Sequence, residues 1–183
     1  VLGGDHAITH AVLRAIAGRF GPVDILHFDA HPDIYEDYEG NKRSHASPFA
    51  RIMEAGLARR LVQVGIRTLS ARCRPQIEKY RVEIVPMRGF RAEAAPALEG
   101  PVYISFDLDG LDPAFAPGVS HHEPGGLSVR EALDVLHAVR APIVGADVVE
   151  HNPDRDVNGV TAVVAAKLVK EIAALAVRNG DPR

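Results

Sequence analysis

The chain has 183 residues, 46% of them hydrophobic and 25% charged, ordinary proportions for a globular protein with a sizeable core. Its net charge of -3 argues against nucleic-acid and anionic-membrane partners. One cysteine, Cys73, excludes an internal disulfide and any multi-cysteine metal site, and no apolar stretch is long enough to span a membrane.

The chain opens on Val1-Leu-Gly-Gly-Asp-His6, which reads as the last two residues of a strand followed by its turn, with a preceding segment absent. No signal-peptide pattern is present, and the expected location is cytoplasmic. Ile8, Val12, Leu13 and Ile16 carry helical spacing that ends at Gly18. Val23–Phe28 is a strand. Ser47-Pro48 predicts an N-cap and a first helical proline, with the helix running to about Gly56. Leu61–Ile66 is a strand, Ala71–Tyr80 a polar surface helix that includes Cys73, and Val82–Val85 a short strand. Residues 88–100 lack pattern and read as loop with a little helix. Val102–Phe106 is a strand. Ser128-Val-Arg-Glu131 reads as a capping box for a helix continued by Leu133 and Leu136. Ile143–Val149 is a strand, and Val160, Val164, Leu168, Ile172 and Leu175 mark a long final helix. Strand and helix alternate throughout, which predicts one α/β domain over residues 1–183, a mainly parallel sheet between two helical layers.

In such folds ligands sit beyond the carboxyl ends of the strands. The polar clusters fall there: Gly3–His6, Asp29–Asp33, Asp107–Asp109 and Glu150-His-Asn-Pro153. An extended chain shows alternate side chains on one face, so Asp29, His31 and Asp33, and likewise Asp107 and Asp109, can each aim at one point. Carboxylates brought together repel, and burying them unpaired is costly, so metal is the simplest stabiliser. Turn chemistry is the bland alternative, since Asp112-Pro113 lies nearby. His6 joins the set if its turn lies on the same sheet edge, and Asp5 is placed to cap the helix or orient His6. Two imidazoles and four carboxylates suit Mn²⁺ or a similar ion, and a pair of such ions acidifies a shared water. His45, in Asn41-Lys-Arg-Ser-His45, is either a proton shuttle or a polar loop residue. Glu150 is either a grip for a cation or a solvated strand-end acid. With no phosphate cradle, a neutral or cationic substrate is favoured. His121, beside His122 and Glu123, reads as pocket wall facing the substrate, and His10, His27 and His137 read as structural.

Gly3-Gly-Asp-His6, Phe28-Asp-Ala-His-Pro-Asp33, Ser105-Phe-Asp-Leu-Asp109 and Asp147-Val-Val-Glu-His-Asn-Pro153 resemble the signatures of the ureohydrolases, the arginase, agmatinase and formiminoglutamase family. The resemblance runs from Gly3 to the last helix. It implies a three-layer α/β/α fold with N-terminal strands missing from this chain, and two Mn²⁺ ions per subunit. By matching position, His6, Asp29, Asp33 and Asp107 would hold one ion and His31, Asp29, Asp107 and Asp109 the other, with Asp29 and Asp107 as bridges. His45 would be the proton shuttle, Asp33 would hold the nucleophile, and Glu150 would pair with a small cationic guanidino substrate. Asn41–Glu54 and Val119–Gly126 are most similar to plant-type arginases, although His122 stands where those usually carry an apolar residue. Relatives are usually trimers or hexamers. The implied reaction is hydrolysis of L-arginine to L-ornithine and urea. Agmatine or another guanidino acid is the alternative substrate, and an inactive ligand-binding or assembly subunit the non-enzymatic one.

Overall fold

The computed structural model describes residues 1–94 and 97–180, so residues 95 and 96 of the patternless stretch lie outside it. Five strands form a single sheet: β1 (Val23–Phe28), β2 (Ala58–Ile66), β3 (Glu83–Pro86), β4 (Val102–Asp107) and β5 (Ile143–Val149). Their order is β3-β2-β1-β4-β5, and every neighbouring pair is parallel. Parallel neighbours require crossovers: α2 (Pro48–Glu54) joins β1 to β2, α3 (Arg74–Tyr80) joins β2 to β3 and α4 (Val129–Ala138) joins β4 to β5, while α1 (Ile8–Phe20) precedes β1 and α5 (Val160–Asn179) follows β5. No helix among the described residues is long and apolar enough to cross a membrane.

The helices cover both faces. Leu13 of α1 and Phe49 and Ile52 of α2 pack on Ile25, Leu61 and Tyr103. On the other face Leu133 and Leu136 of α4, and Leu168 and Ile172 of α5, pack on Leu26, Phe28, Ile104 and Phe106. This is the three-layer sandwich that the alternation predicted. β1 and β4 are buried at every position, which is why they read as continuous apolar runs rather than alternating ones.

After β1 the chain builds outward through β2 and β3, then returns to place β4 and β5 on the other side of β1. The connections after β1 and β4 therefore diverge and leave a crevice at the carboxyl ends of those two central strands, the position where such sheets bind ligands. Both acid runs emerge there.

Several local expectations are corrected. α1 continues through Gly18 to Phe20 and ends at Gly21, whose positive φ of 74° supplies the stop. Ser47 occupies the N-cap position of α2, but its hydroxyl makes no capping bond. Pro48 has no N–H to offer, and the Phe49 N–H donates instead to the Asp33 carbonyl at 3.1 Å. This ties α2 to the acid run. Cys73 is not on a helical surface: it stands at the N-cap of α3 and is fully buried in the core cluster that also holds Leu13 of α1 and Phe49 and Ile52 of α2. The capping box of α4 forms as predicted, with Ser128 and Glu131 each accepting the other's backbone N–H. Leu2 pairs in parallel with Val148, so the opening residues add to the sheet beside β5.

Candidate metal centre

The turns after β1 and β4 meet at close range. A Cβ at Gly110 would lie 2.8 Å from the Asp29 nitrogen and 3.1 Å from its Cα, so only glycine lets the two acid runs approach this closely. His6 reaches the same point from the turn before α1. Its Nδ1 lies 3.4 Å from Asp29 Oδ2, 3.1 Å from Asp33 Oδ2 and 3.2 Å from Asp107 Oδ2. A second group adjoins it, with His31 Nδ1 at 3.3 Å from Asp29 Oδ1 and 3.2 Å from Asp109 Oδ2. Each group is tight enough to hold a metal ion, and Asp29 belongs to both. Asp107 is grouped with His6, Asp29 and Asp33 only, and its Oδ1 accepts the Asp109 N–H at 2.8 Å. Asp29 is thus the acid that joins the two positions in this arrangement. His6 and Asp29 are fully buried, and Asp33, Asp107 and Asp109 nearly so.

Whether these residues fit a cation is decided at His6. The Ser105 hydroxyl donates to Asp147 Oδ1 at 2.7 Å, so its oxygen accepts from His6 Nε2 at 2.9 Å. With the proton on Nε2, the Nδ1 lone pair faces three carboxylate oxygens, and Nδ1 is a buried atom without a hydrogen-bond partner. Lone pair and carboxylates repel unless a positive charge lies between them. A divalent cation satisfies all four groups.

Without a cation, a proton takes that place. Burial opposes a charged His6, but Asp107, Asp29 and Asp33 outweigh it and raise its pKa well above the usual value. Burial likewise opposes a charged His31, yet Asp109 and Asp29 push its pKa up to about 12. Burial, and then the Asp29 charge, lift Asp33 to about 7 and Asp109 to about 6. Burial and the charges of Asp109 and Asp29 raise Asp107 as well. Asp29 alone is held well below the usual carboxylate range, because His27, His31 and His6 outweigh its burial.

His27 is the supporting residue that sequence reasoning missed. Its place inside β1 suggests a structural role, but its Nε2–H donates to Asp29 Oδ2 at 2.8 Å, and its Nδ1 accepts from Gln63 Nε2 at 3.1 Å. The signal was present: His27 precedes Asp29 by two and so shares its strand face. Arg67 also went unnoticed. Its guanidinium binds the carbonyls of Asp109 at 2.6 Å, Gly110 at 3.1 Å and Glu123 at 2.8 Å, and so pins the turn after β4 to the loop carrying His121. Nothing at a strand end marks an arginine for that task.

A cavity of about 160 Å³ opens onto the acids, walled by Tyr35, Tyr38, His45, His121 and Glu150. The His45 and His121 rings stack with centroids 5.5 Å apart and planes 17° apart. Glu150 Oε1 accepts the His6 backbone N–H at 2.7 Å, and the Glu150 N–H donates to the Gly4 carbonyl at 2.9 Å. Asp33 and Glu150 both take left-handed backbone angles, φ 42° and 66°, a strain often met at working sites. Other candidates sit apart. Asp5 accepts the Ala7 N–H and does not touch the His6 ring. His122 donates to the Pro117 carbonyl at 2.7 Å and braces its loop. His137 pairs with Glu171 and His151 with Asp156.

Residues 1–174 match the arginase family. Arginase 1, mitochondrial, of Arabidopsis thaliana is 60% identical over 95% of this chain and 54% of its own length. Agmatinase, mitochondrial, of Gallus gallus is 41% identical over 93% of this chain and 54% of its own. The solved structure of arginase from Medicago truncatula superposes with a TM-score of 0.91 at 55% identity, covering 96% of this chain and 58% of that one. The chain thus spans about half the length of the curated relatives it matches. Both curated relatives carry mitochondrial names, which overturns the cytoplasmic expectation. That expectation rested on the start of a sequence matching only about half of each relative, a stretch that does not report a leader. Family profile, sequence identity and superposition agree: the chain belongs to the arginase family.

Proposed function

We propose that this chain carries the centre of a two-Mn²⁺ arginase, hydrolysing L-arginine to L-ornithine and urea. The observation that carries the reading is the buried His6 Nδ1 facing three carboxylates, next to a pocket that ends at Glu150. Oxygen-rich donors with two imidazoles suit Mn²⁺ better than a structural zinc. His6, Asp29, Asp33 and Asp107 would hold one ion, and His31, Asp29 and Asp109 the other.

When bound, the ion pair supplies an acidified water as the nucleophile. The protein's own groups do the rest. Glu150 has one oxygen committed to the His6 N–H, which fixes its carboxylate beside the centre and leaves the other oxygen to accept guanidinium N–H bonds. That places the guanidinium carbon beside the centre and makes the attack effectively unimolecular. Asp33 accepts a hydrogen bond from the nucleophile and orients it. His45, stacked on His121 at the cavity wall, carries a proton to the departing amine nitrogen as the C–N bond breaks. The products are urea and the protonated amine.

The names of the plant relatives support arginine as substrate, and the more distant agmatinase keeps agmatine as the second reading. The same names support a mitochondrial setting, and a homo-oligomer, trimeric or hexameric, completes the proposal. Urea release by the full-length protein with Mn²⁺ tests it, using L-arginine, agmatine and 4-guanidinobutyrate side by side. Turnover of arginine above the other two is expected. Preference for agmatine installs the second reading, and no urea from any of the three overturns both.

A further inference from the structure

Behind the acids lies a second, fully enclosed polar cluster that the proposed reaction does not use. Asp147 on β5 is 1% exposed and receives three hydroxyl protons. Tyr103 OH donates to its Oδ2 at 2.6 Å, Thr9 Oγ1 to Oδ2 at 2.8 Å, and Ser105 Oγ to Oδ1 at 2.7 Å. These donors come from β4 and α1, and Ser105 is the register neighbour of Asp147 across the β4–β5 pair. A hydroxyl has one proton to give. Once Ser105 has given its proton to Asp147, it can only accept at the His6 ring.

From this chain of bonds we propose that Asp147 is a positioning residue: through Ser105 it fixes the His6 proton on Nε2 and so keeps Nδ1 open as a cation ligand. The inference rests on the metal-centre reading above. Asp147 touches neither cation position nor substrate cavity. It acts by direction, as a carboxylate that holds an imidazole in one tautomer. Two features make the direction firm. Thr9 and Tyr103 saturate Oδ2, so Oδ1 is left for Ser105. The Thr9 N–H also binds the His6 carbonyl at 3.2 Å, so the side chain that completes Asp147 is anchored to the residue it serves.

Asp147→Asn tests the proposal because it preserves shape and reverses one bond. The amide oxygen keeps the side with two donors, Tyr103 and Thr9. The amide NH₂ then meets Ser105 and donates to it. Ser105 must turn its own proton toward His6 Nε2, which drives the imidazole proton onto Nδ1, where a cation would bind. In the full-length protein, Mn²⁺ affinity measured by equilibrium dialysis and EPR should fall about 10- to 100-fold, with one equivalent weakened first and the melting temperature of the metal-free protein little changed. Adding Ser105→Ala removes the group that enforces the wrong tautomer. The double variant should therefore bind Mn²⁺ more tightly than Asp147→Asn alone, a rescue that a role in packing would not produce. Ser105→Ala alone should weaken Mn²⁺ less than Asp147→Asn does, which keeps the test open if the Asp147 variant folds poorly.

Wild-type Mn²⁺ affinity in Asp147→Asn would overturn this proposal and leave the metal centre standing. So would a double variant weaker than either single one, or a Ser105→Ala protein with undiminished affinity. A wild-type protein that binds no Mn²⁺ would overturn both.

Discussion

Asp29 is where the site's interactions converge. One of its oxygens accepts from His27 and faces His6, and the other accepts the His31 N–H at 2.6 Å and faces the His31 ring. Asp29→Asn keeps that shape but removes the charge shared by both cation positions. It should strip most bound Mn²⁺, read by elemental analysis of the purified protein, and near-normal metal content would contradict the shared role. His45→Ala should do the opposite. Turnover should drop about 10²- to 10⁴-fold, the range typical of a lost proton carrier, while Mn²⁺ content stays unchanged; loss of metal instead would make His45 a ligand or a structural residue. Single residues were legible when their spacing carried the message. Asp29, His31 and Asp33 alternate beyond a strand, and that alone aims them together. His27 has the same spacing, but lying within a strand made it look like core. The bond from the Asp109 N–H to Asp107 is the i+2 turn bond common for aspartate, and spacing alone does not tell it from ligation.

Among the elements, α5 shows how a helix is fastened from outside. Asp156 precedes it by a kinked turn and accepts the N–H groups of Thr161 and Ala162, each at 2.9 Å, along with His151. Desolvation works against its charge, but the Thr161 and Ala162 N–H groups and His151 outweigh it and hold its pKa at about 2. A carboxyl whose folded pKa lies below its unfolded value of about 4 stabilises the fold above that value and loses the contribution as pH falls through 2. Asp156→Ala should therefore lower the melting temperature at pH 7 and differ much less from wild type at pH 2. An equal gap at both values in thermal melts would contradict this. The α4 start was legible because Ser128 and Glu131 satisfy each other within four residues. The α2 start was not, because Ser47 lost its task to the Asp33 carbonyl, a partner far upstream of the helix in the chain.

At the scale of the molecule, the reversal of strand order between β1 and β4 places both acid runs beside one crevice. Alternation of strand and helix announced a parallel sheet, but strand order depends on which side each crossover takes, and periodicity carries no trace of that. Four carboxylates buried at such a point repel one another unless positive charge lies among them. Metal and folding are therefore linked: Mn²⁺ at about 100 times its dissociation constant should add about 2.7 kcal/mol of stability. EDTA should lower the melting temperature, and Mn²⁺ should restore it. Identical melts with and without metal would mean that the acids are content without cations.

A pair of divalent cations joined through Asp29 is a property that can be counted. Full-length protein, saturated with Mn²⁺ and freed of excess, should hold two ions per chain. Its EPR spectrum should show the spin coupling of ions about 3.5–4 Å apart. One ion or none per chain in protein that still releases urea would contradict the account.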